Sequence, residues 1–425
     1  MIIIQHMNDN HSHTELDYKP RWLASRIQAA VEDHPVVVLS GARQVGKSTL
    51  LQHESPFAEW RSVSFDDLNA LRQAQNEPAE LWAGTEQIIL DEVQKAPALL
   101  SAVKQAVDRQ RATRRFVLSR SANLLLMRQV SESLAGRSVY FRLFPMTLGE
   151  MEGAPPPEWF FRLFQGELPT AIPVRSAPVD PLASMVRGFM PPLLALARQD
   201  AVLQWWEGYV MTYLERDLRQ LSQVESLPDF RRLMEILALR SGQLLNQTDV
   251  GRDAGLSQPT AHRYINLLEA TCLFERLPAF ARNRTKRLVK SPKLFFLDPG
   301  LAAFLAGHHT AENLRASREA GGLFETLVFL HLRVLSHLFT PNLRLSYWRT
   351  TTGHEVDFVI EQGRALVAVE VKLTDAPHYG DAENLRLFME EYPETTAALL
   401  IHAGHEVKQL GEKIVAVPWT GLAGG

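Results

Sequence analysis

The chain has 425 residues, 46% hydrophobic and 22% charged, which excludes a disordered protein and exceeds one ordinary core, so two or three domains are expected. Its formal charge of −3 excludes a global attraction to nucleic acid, so any such binding has to be local. A lone cysteine, Cys272, excludes internal disulfides and cysteine-rich zinc sites and fits a reducing cytoplasm, and no uncharged apolar stretch approaches membrane-spanning length.

Residues 1–20 read as a flexible leader. The Met1-Ile2-Ile3-Ile4 run is too short for a signal peptide, and His6, His11 and His13 read as solvated polar residues before a metal site. Arg21 to Val31 has the spacing of an amphipathic helix. The apolar run Val36-Val37-Val38-Leu39 then reads as a buried strand, and it leads into Gly41, Ala42, Arg43, Gln44, Val45, Gly46, Lys47, Ser48 and Thr49. This segment fits G-x-x-x-x-G-K-[ST], and the helical pattern after it completes the strand–loop–helix setting of a phosphate site. Gly41 and Gly46 let the backbone turn and aim its N–H groups inward. Lys47 supplies charge for the outer phosphates, Ser48 a hydroxyl for magnesium, and the helix start a partial positive charge.

A second motif, Gln87-Ile88-Ile89-Leu90-Asp91-Glu92, is an apolar strand ending in two carboxylates. Behind a phosphate loop, Asp91 is placed to hold magnesium, and Glu92 to orient the attacking water as a base. The pair argues for hydrolysis beyond mere nucleotide binding. Further strands are expected at Arg61–Phe65, Arg115–Ser119 and Val139–Leu143, with helical segments between them. The alternation implies a parallel sheet covered on both faces, a three-layer P-loop NTPase sandwich over residues 21–151 of the additional-strand, catalytic-glutamate type. Ser119 ends the fourth strand beside the expected γ-phosphate.

Nine of the 24 prolines fall between Pro155 and Pro192, so residues 152–200 read as a Pro-rich connector or irregular subdomain. Helical patterning resumes over residues 201–310, where 243–300 resemble a winged helix-turn-helix. Thr248–Ala254 and Gln258–Ala270 are its helices, Gly255-Leu256-Ser257 the turn, and Leu273–Phe280 with Lys293–Leu297 the wing. Arg282, Arg284, Lys286, Arg287, Lys290 and Lys293 crowd that wing; the patch either contacts DNA phosphates or only packs against a neighbour.

In the C-terminal part, residues 311–425, strands are expected at Arg344–Thr350, Glu355–Glu361 and Ala365–Lys372, with Gln362-Gly363 as a two-residue hairpin loop. That loop sets Asp357 opposite Ala368 and makes Glu370 its diagonal neighbour, with Lys372 on the same face. Glu325, on a helix upstream, can join them. Two carboxylates, a third acid and a lysine suit a divalent ion beside a scissile phosphate, against the alternative of a solvated Glu–Lys pair. Val367, Val369 and Val371 mark the other face as core and leave the acidic face open.

With these residues in view, the chain from Arg21 onward resembles prokaryotic AAA-family ATP-binding proteins with an uncharacterised C-terminal domain. The resemblance rests on GARQVGKSTLL, IILDEVQKAPALL, FVLSRSANLLL, the string Val130 to Arg137, and TYLERDLR. The last part resembles the PD-(D/E)XK nuclease superfamily through Glu325, Asp357 and Glu370-Val371-Lys372. The resemblance implies ATP and Mg2+ as ligands, Ser119 as a polar sensor, and Arg137 as an arginine finger in cis or toward a neighbouring copy of a homo-oligomer. Relatives usually carry glycine where this chain has Arg120.

Three functions fit. In the first, an ATPase drives movement of the winged-helix and C-terminal domains, acting on nucleic acid. In the second, an ATP-gated nuclease uses the C-terminal cluster. In the third, the protein is a slow nucleotide switch, against which Glu92 argues. The first is adopted, with a cytoplasmic protein that makes no contact with membranes.

Overall fold

A computed structural model describes residues 18–110, 113–121, 134–172, 178–212, 224, 226–282 and 291–424. The leader histidines, the string 130–133, most of TYLERDLR, and Arg284, Lys286, Arg287 and Lys290 lie outside the described residues.

Helix α1 (Ala24–Asp33) starts three residues later than its periodicity suggests, and the difference has a physical reason. The Arg21 side chain and the Trp22 backbone N–H are both engaged by the Glu150 carboxylate, so the chain enters the helix only afterwards. Five parallel strands follow, β1 (Val36–Gly41), β2 (Arg61–Ser64), β3 (Gln87–Asp91), β4 (Arg115–Ser121) and β5 (Ser138–Arg142), in the order β2-β3-β4-β1-β5. They match the expected strands to within two residues at each end. β4 lies between the strand that carries the phosphate loop and the strand that carries Asp91, which is the additional strand. Helices α2 (Lys47–His53), α3 (Leu68–Asn76) and α4 (Leu99–Arg109) connect them. A parallel strand covered on both faces needs apolar residues at every position, and Val36 to Leu39 are wholly buried. Val37, Leu39 and Val117 enter one apolar cluster, while Val36, Val38, Phe116 and Leu118 enter another.

The described part of the Pro-rich stretch is structured. Helices α5 (Leu148–Glu152), α6 (Glu158–Arg162) and α7 (Pro181–Arg187) bury Phe160, Leu182 and Met185 in the main core. Pro181 occupies a first helical turn, where the missing N–H costs nothing. Next come α8 (Gln199–Thr212), α9 (Leu227–Ala238), α10 (Gln247–Asp253) and α11 (Gln258–Ala270). A two-stranded antiparallel hairpin, β6 (Phe274–Leu277) and β7 (Lys293–Phe296), completes this unit.

Helices α12 (Pro299–Leu305), α13 (Ala311–Arg315) and α14 (Ala320–Ser336) lead to a mixed six-stranded sheet. Its strands are β8 (Arg344–Arg349), β9 (Glu355–Gln362), β10 (Ala365–Lys372), β11 (Thr395–His402), β12 (Lys408–Gly411) and β13 (Ile414–Pro418). The order is β12-β13-β11-β10-β9-β8, with α15 (Glu383–Glu391) on one face.

Two expectations are corrected here. Gln362 pairs with Ala365, so the hairpin loop is Gly363-Arg364, with Gly363 supplying a left-handed φ of 64°. The register moves by two: Ala368 pairs with Val359, and continuing one step past the Val369–Phe358 pair sets Asp357 opposite Glu370 in place of Ala368. Nor is the acidic face open. Val359, Leu366, Ala368, Ala398 and Leu400 on that face pack with Leu385 and Phe388 of α15 into their own apolar cluster. Among the described residues no helix is long and apolar enough to cross a membrane.

Candidate functional site

The phosphate loop leaves β1 at Gly41, whose φ of 158° and surroundings require glycine. A Cβ there would stand 2.4 Å from the carbonyl oxygen of Leu143. Gln44, exposed at the crest, and Gly46 both take left-handed φ values, 61° and 91°, and the chain then enters α2 at Lys47. Lys47 is only 5% exposed, and its ammonium donates to the carbonyls of Gly41 at 3.2 Å and Ala42 at 2.9 Å. Burial lowers its pKa, and the nearby Glu92 and Asp91 oppose that shift. The ammonium is thus folded back on its own loop, available for an anion that offers better acceptors.

From β3 the two carboxylates arrive at the same place. Ser48 Oγ donates to Asp91 Oδ2 at 2.7 Å, and the other Asp91 oxygen accepts from the Glu92 N–H at 3.0 Å. Glu92 itself sits at φ 55° and ψ 41°, a left-handed conformation that costs a non-glycine residue of order 1 kcal/mol. That turn carries its side chain past the strand end, where Gln94 Nε2 donates to it. One strand over, the β3–β4 pairing continues from Leu90 opposite Leu118 to put Ser119 beside Asp91, and Ser119 also pairs with Leu39 of β1. Ser119 is wholly buried, and its Oγ has no hydrogen bond among the described residues. Buried hydroxyls are rarely left unsatisfied, so this one is placed for a partner that arrives from outside.

These positions fit a triphosphate and magnesium. The donors are a lysine ammonium and loop amides for phosphate, and the cation ligands are hard oxygens from a hydroxyl and a carboxylate. Arg120, next in β4, points to the other face of the sheet with Leu118, is 1% exposed, and does not obstruct Ser119.

Arg137 is placed differently. It immediately precedes β5, whose first residue Ser138 pairs with Val36 at the start of β1. At about 3.3 Å per residue, that end is roughly 15 Å or more from the phosphate loop. Its guanidinium grips Asp108 of α4 through two hydrogen bonds, 2.6 and 3.0 Å. Within one chain the structure does not bring Arg137 to the phosphates.

Sequence reasoning missed the residues that hold the loop from behind. Arg21 is 5% exposed, donates to the carbonyls of Val45 and Phe144 at 2.7 Å each, and pairs with Glu150 at 3.1 Å. Glu150, fully buried, completes a capping box with Thr147. The pattern Thr147-x-x-Glu150 was a readable signal for the cap, whereas nothing local marks Arg21. The middle of the chain also reaches the loop. Tyr209 of α8 donates to the Arg43 carbonyl at 3.4 Å, and Pro191 lies 3.6 Å from where a Gly46 Cβ would be. The Cys272 thiol, in the turn between α11 and β6, is near enough to influence the charges of both Lys47 and Arg120.

The C-terminal cluster also forms, with two unforeseen members. Asp357 and Glu370 face each other across β9 and β10, Asp357 accepts from the Val371 N–H at 2.9 Å, and Lys372 donates to Glu370 at 2.8 Å. In the midst of Glu325, Glu355 and Asp357 sits the ammonium of Lys293, 3.2 Å from Glu325 and 3.0 Å from Asp357, and bonded to Glu355. Lys293 had been counted with the basic wing; it is 3% exposed and cannot meet a nucleic acid there. Burial alone would lower its pKa, yet Asp357, Glu325 and Glu355 raise it well above the usual lysine range. Burial, reinforced by the Asp357 charge, pushes Glu325 up to about 8, and the same two causes take Glu370 to about 8. Of the wing residues described, Arg282 is exposed and pairs with Glu394 at 2.9 Å. Among the described residues no group of three or more histidines, cysteines and acids is arranged to hold a metal ion.

Comparison with known proteins now bears on these observations. Residues 33–152 match the model of the AAA domain, residues 182–312 that of the domain of unknown function DUF8612, and residues 320–422 that of DUF4143. The chain is similar to uncharacterized protein Rv2008c of Mycobacterium tuberculosis, 30% identical over 397 residues, which cover 93% of this chain and 82% of that protein. The similarity to uncharacterized protein Mb2031c of Mycobacterium bovis has the same identity and coverage. Among solved structures, the Walker-type ATPase PABY2304 of Pyrococcus abyssi is 17% identical with a TM-score of 0.44, covering 68% of this chain and 96% of that one. The RuvB Holliday junction branch migration motor of Thermotoga maritima is also 17% identical, with a TM-score of 0.27 and coverage of 60% and 86%. Neither structural likeness is close enough to inform function. The chain belongs to the same family as the two mycobacterial proteins, and its N-terminal part is an AAA-family P-loop domain.

Proposed function

We propose that this protein is a magnesium-dependent ATPase whose nucleotide state is transmitted to the helical middle region and the C-terminal domain. The observation that carries the reading is the meeting of Ser48 and Asp91 at 2.7 Å beside the buried Lys47, with Glu92 turned outward from the same strand end. Lys47 binds the β- and γ-phosphates, and the loop amides of Gly41 to Thr49 orient the chain of phosphates. Ser48 and Asp91 hold magnesium, which when bound neutralises charge on the phosphate oxygens. Glu92 positions and polarises the attacking water, and Ser119 meets the γ-phosphate with its unpaired hydroxyl. Adenine as the base rests on family membership in the AAA group.

Transmission is supported by two contacts on the loop from outside the ATPase domain, those of Tyr209 and Pro191. The unit α9 to β7 is read here as a winged helix-turn-helix, a reading supported by the packing of α10 on α11 and the pairing of β6 with β7. The outer side of α11 exposes Gln258, Pro259 and His262, none of them a lysine or arginine. Arg137, tied to Asp108, acts at the far end of the sheet, and any role at the phosphates would be toward a neighbouring copy. The nuclease reading is disfavoured by the ammonium of Lys293 inside the acidic cluster.

The test is a hydrolysis assay with ATP and GTP, with and without nucleic acids, on the full chain and on Glu92→Gln. The proposal expects Mg2+-dependent ATP turnover that drops about 10²-fold or more in Glu92→Gln while ATP stays bound. Undiminished turnover in that variant would remove Glu92 from the role.

A further inference from the structure

His331 lies wholly buried in α14, between Leu330 and Leu332. A buried imidazole needs partners for its nitrogens, and here they come from two domains. Nε2 accepts from the Leu148 N–H at 3.1 Å, and Nδ1 meets the carbonyl of Leu327, one turn back in α14, at 2.9 Å. A backbone N–H can only donate, so Nδ1 carries the proton and the ring is neutral. Phe189 and Trp419 stand edge to face with it, their ring centroids 5.5 and 5.8 Å away. Leu148 begins α5, and its N–H is one of the first-turn donors that a helix cannot satisfy by itself. The same helix carries Glu150, from which the contacts run on to the phosphate loop. Glu150 Oε1 accepts from Arg21 Nε at 3.1 Å and from the Trp22 N–H at 2.9 Å, and Arg21 Nη1 donates to the Val45 carbonyl at 2.7 Å. His331, Glu150, Arg21 and Val45 are all buried, so water has no access to replace a link. Nor can α5 shift alone. A Cβ on Gly149 would stand 1.7 Å from the Ala423 carbonyl oxygen and 2.6 Å from the Trp22 ring.

We infer that His331 is a positioning residue of the phosphate loop, acting from the C-terminal domain through α5 and Arg21; this rests on the reading of Gly41 to Thr49 as an ATP site. The Val45 carbonyl and the Gly46 N–H belong to one planar peptide unit and point in opposite directions. Arg21, by gripping the carbonyl, therefore aims that N–H away from itself and into the loop, where phosphate oxygens are bound. Glu150 holds the guanidinium in place, and His331 holds the helix that carries Glu150. His331 touches no nucleotide, and its effect passes wholly through Arg21. Coupling of this kind is reciprocal, so bound ATP also steadies the contact of Leu148 with His331.

The test is calorimetric titration of the full chain with ATP and Mg2+, with chemical denaturation of each protein as the folding control. Wild type, His331→Phe, His331→Gln, Arg21→Met and the double variant Arg21→Met/His331→Phe are compared. Phenylalanine keeps a ring and loses the acceptor, whereas the glutamine carboxamide oxygen takes the place of Nε2. His331→Phe is expected to bind ATP about tenfold more weakly, and His331→Gln within about threefold of wild type. Because the two residues act in series, the double variant should bind no more weakly than Arg21→Met alone. A folded His331→Phe that binds ATP like wild type overturns the inference, as does a double variant in which the two losses multiply. Absence of ATP binding by the wild type is a different failure, which removes the ATP site and this inference with it. If His331→Phe does not fold, hydrogen exchange of the wild-type chain decides. Saturating ATP should slow exchange at the Leu148 amide more than at the Ala398 amide, which donates to Lys413 within the C-terminal domain. Equal changes at the two amides reject the link.

Discussion

The Ser48 hydroxyl and the Asp91 carboxylate are hydrogen-bonded at 2.7 Å although 43 residues separate them in sequence. The contact joins the start of α2 to the end of β3 across the additional strand, and it brings together the two side chains proposed to hold magnesium. Ser48→Ala removes one ligand and leaves Asp91 without its donor. A hydrogen bond to a charged group is worth about 1.5–3 kcal/mol, so ATP affinity in Mg2+ should fall roughly 10- to 100-fold. Affinity in EDTA should hardly change. A variant that loses affinity equally with and without the metal would place Ser48 on the phosphates.

Ser119 offers a separation of stability from activity. Its buried hydroxyl has no partner among the described residues, so Ser119→Ala removes an unsatisfied group and should leave stability equal or up to about 1 kcal/mol higher. Turnover should fall about tenfold or more while ATP affinity stays within roughly threefold, because the contact is made to the γ-phosphate during reaction. Chemical denaturation and steady-state kinetics on the same variant check both parts. Loss of stability with normal turnover would make Ser119 a packing residue.

Arg137 and Asp108 should behave as one unit. If the pair only fastens α4 to the strand edge, Arg137→Ala and Asp108→Ala each leave ATP turnover within about twofold at every protein concentration. A large loss in Arg137→Ala that Asp108→Ala does not share, restored by mixing with a Lys47→Ala chain, would instead show the arginine serving a neighbour's nucleotide.

The junction of the ATPase and C-terminal domains carries a pH signature. Burial first, and then the charges of Arg333, Arg142 and Arg26, depress His337 from 6.5 to about 3. Between those values the unfolded chain binds a proton that the folded chain refuses. The associated stability is therefore complete above pH 6.5 and is lost as pH falls toward 3. His337→Phe keeps a ring against Phe144 and cannot take the proton, so its melting temperature should fall less between pH 7 and pH 4.5 than that of wild type. Parallel melting curves across that window would show that His337 does not titrate as the junction requires.

The ATPase half was legible because its strands are buried on both faces and read as short apolar runs such as Val36 to Leu39, with each motif at a strand end. Even the far position of Arg137 was readable in principle: a residue just before a parallel strand lies at the end opposite the phosphate loop. The C-terminal register was not legible, since a loop at Gln362-Gly363 and one at Gly363-Arg364 differ only in whether Gly363 stands second or first in the turn, and that one step moves the register by two. Glu370 looked exposed because period-two patterning cannot see that α15 covers its face. Lys293 was misassigned for a deeper reason. A lysine among basic neighbours looks like a surface charge, and only tertiary structure reveals the three carboxylates around it. Arg21 was silent for the same cause: its partners Val45, Phe144 and Glu150 lie 24 to 129 residues away.

The most direct measurement is calorimetric titration of ATP with Mg2+ into the wild-type chain and into Lys47→Ala. The account predicts saturable binding of one ATP per chain in wild type, weakened by about 100-fold or more when the ammonium is removed, with both proteins equally folded. Absence of binding by the folded wild type, or equal binding by the two proteins, would contradict it.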